Sequence, residues 1–182
     1  MSGTTVHQAP TLHHLPAARP VRGLSVVELL CVVAILLLLL SGTVHLAQDL
    51  RLGQRLHATA ALLETDLQFA RSESVRIGRP VRLVVQATPD GGSCYMLHAA
   101  GADDCRCAAD GRPQCQPGVQ LLRSETQSAA SGVVLDALAH TVLFEGRKGT
   151  VTPTATLRVK ARDGRSIHQV VNVMGRVRSC AP

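Results

Sequence analysis

Residues 29–40 read LLCVVAILLLLL, twelve apolar positions without a break. With its flanks, Leu24 to Val44 holds 21 residues and one charge, Glu28. About 20 such residues wound as a helix cross the hydrocarbon of a bilayer. A chain with this run is therefore expected to be a single-pass membrane protein. Residues 1–23 before it carry three Pro, no acid and two Arg, Arg19 and Arg22, while the next Lys or Arg after it is Arg51. That bias places the N-terminus in the cytoplasm and the rest of the chain across the membrane. A carboxylate inside a membrane helix costs a few kcal/mol and marks a functional position by default. Glu28 is such a carboxylate unless it is hydrated at the interface. It is the fifth residue after Gly23, which directly precedes the apolar run.

Arg22-Gly23-Leu24-Ser25-Val26-Val27-Glu28-Leu29-Leu30 resembles the prepilin motif of type IV pilins and type II secretion pseudopilins. The resemblance implies that a membrane prepilin peptidase cuts between Gly23 and Leu24 and methylates the new amine of Leu24. It further implies that Glu28 compensates the amine of a neighbouring subunit, since two buried charges are tolerated when paired. The apolar helix would then pack with other pilin or pseudopilin subunits in a filament core. Leu24 stands where the family usually has Phe. Two other readings of the run are a secretory signal peptide and an uncleaved anchor. A signal peptide is cut after its apolar stretch, and Leu40-Ser41-Gly42 lacks a small residue at the outer position.

Beyond the run, Leu46, Leu50, Gly53, Leu56, Ala60, Leu63, Leu67, Ala70, Ser74 and Ile77 step by three and four, which predicts one stripe of a continuing helix. Gln48, Asp49, Arg51, Arg55, Glu64, Asp66, Arg71 and Glu73 fill the polar face. Gly78, with Pro80 two residues on, ends it. Short β-rich runs follow at 81–85, 94–98, 119–123, 133–135, 141–145, 154–161 and 166–173. Asp163-Gly164 joins the last two as a hairpin. Residues 99–118 have no period and read as a loop. The predicted fold class is α+β, one long N-terminal helix packed on an antiparallel β-sheet. Its parts are a leader over 1–23, an apolar membrane or filament-core helix over 24–50, an amphipathic half over 51–78, and a β domain over 79–182. Phe69 to Val81, FARSESVRIGRPV, resembles the helix-to-strand junction of the FimT/GspH group. Pilin-like architecture and a periplasmic β domain anchored in the inner membrane are what that likeness implies.

Enzyme chemistry finds no foothold. The chain lacks G-x-S-x-G, H-E-x-x-H, a phosphate loop and G-x-G-x-x-G, so no catalytic residue, cofactor or metal is expected. The His residues at 45, 57, 98, 140 and 168 are scattered. Cys31 lies in the apolar run and reads as a small apolar side chain. Cys94, Cys105, Cys107, Cys115 and Cys180 would face a compartment where disulfides persist. One bridge is expected within 94–115, and a second tying Cys180 to what remains of that cluster. The connectivity is left open, and five is an odd number. Cys105-x-Cys107 with Cys115 and His98 lacks the paired C-x₂-C of zinc sites.

Charge distribution points to a partner. The whole chain has a net charge of +6. Residues 146–182 alone hold eight basic residues and one acid, Asp163, a net of +7. Such a segment reads as a solvated strand face or as a phosphate-binding surface. Gly175-Arg176-Val177-Arg178 lies within it. In an extended chain Arg176 and Arg178 share a side, about 6–7 Å apart along the backbone, and Gly175 allows a bend. In this place the sequence resembles the C-terminal G-R-x-R of FimT-type minor pilins, which are linked to DNA binding in natural transformation. The resemblance carries DNA contact onto Arg176 and Arg178, while Lys148, Arg162 and Arg165 join by charge alone. With only Phe69, Tyr95 and Phe144 as aromatics, backbone contact is favoured over base stacking. Two functions follow: a DNA-binding minor pilin serving uptake or pilus assembly, and a structural GspH-type pseudopilin of type II secretion.

Overall fold

The computed structural model describes residues 25–99, 101 and 104–181, with backbone alone for 40–46. The expected cleavage pair Gly23–Leu24 lies outside the described residues. The chain divides into two units, Met1–Gly42 and Thr43–Pro182. In the first unit, helix α1 (Val26–Ile77) begins with Glu28 in its first turn. Val26, Val27, Leu29, Leu30 and the apolar side chains from Val32 to Leu39 are exposed along it. Among the described residues no helix is long and apolar enough to cross a membrane. The span expected over 24–44 includes Leu24 and the side chains of 40–44, which fall outside that set.

The second unit packs the remainder of α1 against two antiparallel sheets rather than the one expected. The strands are β1 (Val81–Ala87), β2 (Ser93–Ala99), β3 (Cys105–Cys107), β4 (Pro113–Cys115), β5 (Gln120–Gln127), β6 (Val133–Ala137), β7 (Thr141–Phe144), β8 (Val151–Thr152), β9 (Ala155–Ala161), β10 (Ser166–Val171) and β11 (Val177–Cys180). One sheet runs β5-β2-β1-β7-β8, the other β11-β10-β9-β6, and β3-β4 form a separate hairpin. The Asp163-Gly164 turn joins β9 to β10 as expected, with Ala161 paired back to Arg165 through backbone bonds.

Leu52, Leu56, Ala60, Leu63, Leu67 and Ala70 of α1 meet Leu83, Tyr95, Leu97, Phe144, Leu135, Leu157 and Val159 in one core. The helical stripe differs from expectation at its start, because Leu52 is buried and Leu50 is 60% exposed. At about 100° per residue, Leu50 stands roughly 140° from Leu63, whereas Leu52 is only about 20° away. The helix stops at Gly78, whose φ of 64° lets it close the last turn where other residues are strained. Asp66 and Glu73, expected on the polar face, are buried. Asp66 sits about 60° from Leu63, at the margin of the core. There its carboxylate accepts from Tyr95 Oη at 2.8 Å and Arg123 Nη1 at 2.7 Å. Arg123 also lies 4.3 Å from the Phe69 ring centre.

Residues 99–118 are not a plain loop. Cys94 bonds Cys107, and Cys105 bonds Cys115. These bridges hold the β3–β4 hairpin on the outer face of the first sheet, over Val84 and Met96. Both faces of β2 are therefore covered, and every residue of it is buried. The expected bridge to Cys180 is not made. The hairpin register sets Cys105 opposite Cys115, which leaves Cys107 to Cys94. Cys180, opposite His168 in the other sheet, is free and exposed.

Candidate functional site

A groove of about 770 Å³ opens where three segments converge: the last turns of α1, the 145–150 turn and the link from β10 into β11. Its walls are Gln68, Arg71, Ser72 and Val75 of the helix, with Lys148, Gly175, Arg176, Val177 and Arg178 opposite. Arg176 and Arg178 are exposed, and Val177 between them packs on the core. The two arginines therefore share the solvent side, as the two-residue repeat of extended chain requires. Lys148 and Gly175 line the same groove.

Local chemistry sets the segments in place. Asn172 shapes the link before β11: its Oδ1 accepts from the amides of Met174 at 3.0 Å and Arg176 at 2.9 Å. The Gly175 amide donates 2.8 Å to Asn172 O, and Gly175 takes a φ of 69°. A Cβ on Gly175 would stand 2.7 Å from Gly149 O and 2.8 Å from Arg71 Cδ. One on Gly149, itself at φ 60°, would stand 3.3 Å from Arg71 Cγ. The stem of Arg71 thus lies against two glycines, one from each neighbouring segment. Val151 N donates 2.9 Å to Val173 O, and Gly149 N 2.9 Å to Glu145 O. Ser74 Oγ donates to Arg71 O at 2.8 Å and lies 3.3 Å from Glu145 O. Further along β11, Ser179 Oγ reaches Glu64 Oε2 on the helix at 2.7 Å.

Arg71, Lys148, Arg176 and Arg178 form no ion pair among the described residues. These cations face one open concavity, an arrangement suited to an anion with several separated negative groups. Arg71 was missed from sequence because it reads as one cation on a polar helix face. Its place in the FARSESVRIGRPV junction was the only signal for it.

Arg162 and Arg165 are not part of this groove. Arg165 Nη2 pairs with Asp163 Oδ2 at 2.6 Å, and this hydrogen-bonded guanidinium holds the Asp163 carboxyl below its ordinary pKa. Arg162 lines a different groove, with Arg51 and Arg55. Lys160 is also committed, to Asp136 at 2.6 Å. Glu28, the expected assembly residue, is exposed in the first unit.

A family model described as "Type II transport protein GspH" matches residues 59–175. The crystal structure of the type IV minor pilin FimU of Pseudomonas aeruginosa (strain PAO1) is similar, with a TM-score of 0.51 and 22% identity. The match covers 71% of this chain and 93% of that one. The minor pseudopilin EpsH from the type 2 secretion system of Vibrio cholerae matches with a TM-score of 0.46 and 16% identity, over 70% of this chain and 97% of that one. No curated protein matches the chain by sequence comparison.

Proposed function

This chain belongs to the GspH family, and we propose that it is a membrane-anchored minor pilin that binds DNA through phosphate contacts. The observation carrying this reading is the convergence of Arg71, Lys148, Arg176 and Arg178 on one groove, with no carboxylate partner among the described residues. Guanidinium and ammonium groups neutralise phosphates, release counterions and read no bases. Arginine also meets a phosphate with two parallel N–H donors. In this reading a prepilin peptidase cuts after Gly23 and methylates Leu24. The exposed apolar side chains of the first unit are covered by lipid of the inner membrane and then by other pilin subunits, since an apolar surface of that extent marks an interaction site. Glu28 pairs with the N-terminal amine of a neighbour, and the second unit faces the periplasm. DNA held in the groove would be taken up in natural transformation.

The family description supports a second reading, a structural pseudopilin of type II secretion. Gel shifts of the full chain in mild detergent with duplex DNA separate the two. Arg176→Ala with Arg178→Ala should weaken binding equally across sequences. It should also flatten the plot of log K against log salt by about 1.8, or about 0.9 for each phosphate no longer neutralised. Unchanged binding and slope would exclude this groove as the DNA surface and leave the structural reading.

A further inference from the structure

Folding moves Arg162 away from the C-terminal arginines and sets it beside Arg51 and Arg55 of α1, in a groove of about 410 Å³. Gln48, Leu52, Ala130 and Ser131 complete its walls. The groove is built by specific contacts. Arg162 N donates 2.8 Å to Gly132 O. A Cβ on Gly132 would come within 3.0 Å of Leu52 Cδ1 and 3.3 Å of Arg162 Cδ, so a glycine lets this turn close on both. Arg55 Nη1 donates 3.1 Å to Ser131 O, which orients one guanidinium and leaves its other donors to a ligand. None of the three arginines forms an ion pair among the described residues. Nearby Asp163 is paired with Arg165, and Asp49 acts on the same Arg165.

We infer that this three-arginine groove binds the phosphate of an anionic phospholipid headgroup, at the membrane surface from which α1 emerges. The inference rests on the membrane-anchor reading above. Arg51 follows the end of the apolar run at Val44 by seven residues, about 10 Å of helix, and Arg55 by about 16 Å. The headgroup layer adds roughly 5–8 Å to each side of the hydrocarbon, so an extended Arg51 side chain reaches back into it, with Arg55 about one turn further on. The other basic groove begins at Gln68, about 36 Å along the helix from Val44, beyond contact with lipid. The two grooves thus divide the basic surface between a near phosphate layer and a distant partner.

Flotation of the full chain with phosphatidylcholine vesicles tests the anchor alone. Titration of the full chain in neutral detergent with fluorescent phosphatidylglycerol and phosphatidylcholine tests the groove. Phosphatidylglycerol should bind more tightly. Each of R51Q, R55Q and R162Q should weaken it about fivefold, and the triple variant up to about 100-fold, from the usual contribution of one basic residue near an anionic surface. The triple Lys variant should keep much of the preference, and R176Q/R178Q should keep all of it. If the triple Gln variant loses its circular dichroism signal, the single variants decide. Equal binding of the two lipids, or wild-type phosphatidylglycerol binding by the Gln variants, would overturn the inference. So would loss of duplex DNA binding in those variants with lipid binding intact, which would make this groove a DNA surface. Failure to float, with the phosphatidylglycerol preference retained, would count against the anchor and leave the headgroup site standing.

Discussion

Replacing Gly175 by alanine tests whether the site depends on close backbone approach or merely on a run of arginines. Two costs are expected and can be separated, because Gly78 provides an internal reference. Gly78 has a φ of 64° and nothing within 4 Å of where a Cβ would go, so Gly78→Ala reports the conformational cost alone. For an L residue in the left-handed region that cost is about 1–2 kcal/mol. Gly175, at φ 69°, adds steric overlap with Gly149 O at 2.7 Å and Arg71 Cδ at 2.8 Å. Overpacking of this kind costs about 1–3 kcal/mol more, so Gly175→Ala should destabilise by about 2–5 kcal/mol. The assay is urea denaturation of the full chain in detergent, followed by tyrosine fluorescence. Tyr95 is the sole tyrosine in a chain without tryptophan, and it is 2% exposed, so the signal reports on the core. Adding Arg71→Ala should return only part of the loss, since the Gly149 carbonyl stays in place. Equal destabilisation by Gly78→Ala and Gly175→Ala, within about 0.5 kcal/mol, would refute the close approach and with it the placement of Arg71 in the groove.

Two further outcomes follow from buried polar groups. Asp66→Ala removes the acceptor of both Tyr95 Oη and Arg123 Nη1 and should cost about 2–4 kcal/mol, against about 1 kcal/mol for Tyr95→Phe; equal losses in urea denaturation followed by circular dichroism, which needs no tyrosine, would show that the Arg123 contact contributes nothing. His98 is fully buried with neither ring nitrogen bonded, and burial first, then the neighbouring Arg82, depress its pKa while Asp104 acts weakly the other way. Because the unfolded state takes the proton first, the His98 contribution is complete above about pH 6.5 and falls as pH drops below it, by at most about 1.4 kcal/mol per pH unit. His98→Leu should flatten the stability profile between pH 6.5 and 5, and an unchanged slope would exclude His98 as its source.

Where a single element carries its own signal, the sequence is readable. Leu56, Ala60, Leu63, Leu67, Ala70 and Ser74 keep helical spacing and are all buried; Gly78 ends the helix, and Asp163-Gly164 makes the hairpin. The signal failed where stabilisation comes from partners distant in the chain. Residues 105–115 show no apolar alternation because two disulfides, not a hydrophobic face, hold that hairpin. Asp66 looked like a solvated acid because its partners, Tyr95 and Arg123, lie 29 and 57 residues on. Leu50 and Leu52 exchanged roles because a stripe counted in threes and fours drifts from the true helical angle over several turns.

Arg71 shows the same limit at the candidate site, and it changes what the basic segment means. The +7 of residues 146–182 is not one surface. Lys160 and Arg165 are held by Asp136 and Asp163, and exposed ion pairs of this kind leave little net field for a ligand. Arg162 belongs with two helix arginines from before the sheets. Of the remaining basic residues, Arg147 and Arg158 lie outside the candidate groove, while Lys148, Arg176 and Arg178 line it and gain Arg71 from outside the segment. Summed charge therefore both overstated the site and missed one of its members. The glycines at 149 and 175 define it better. Their missing side chains let two turns close on one arginine stem, and that contact joins the cations of three separate segments into a single surface.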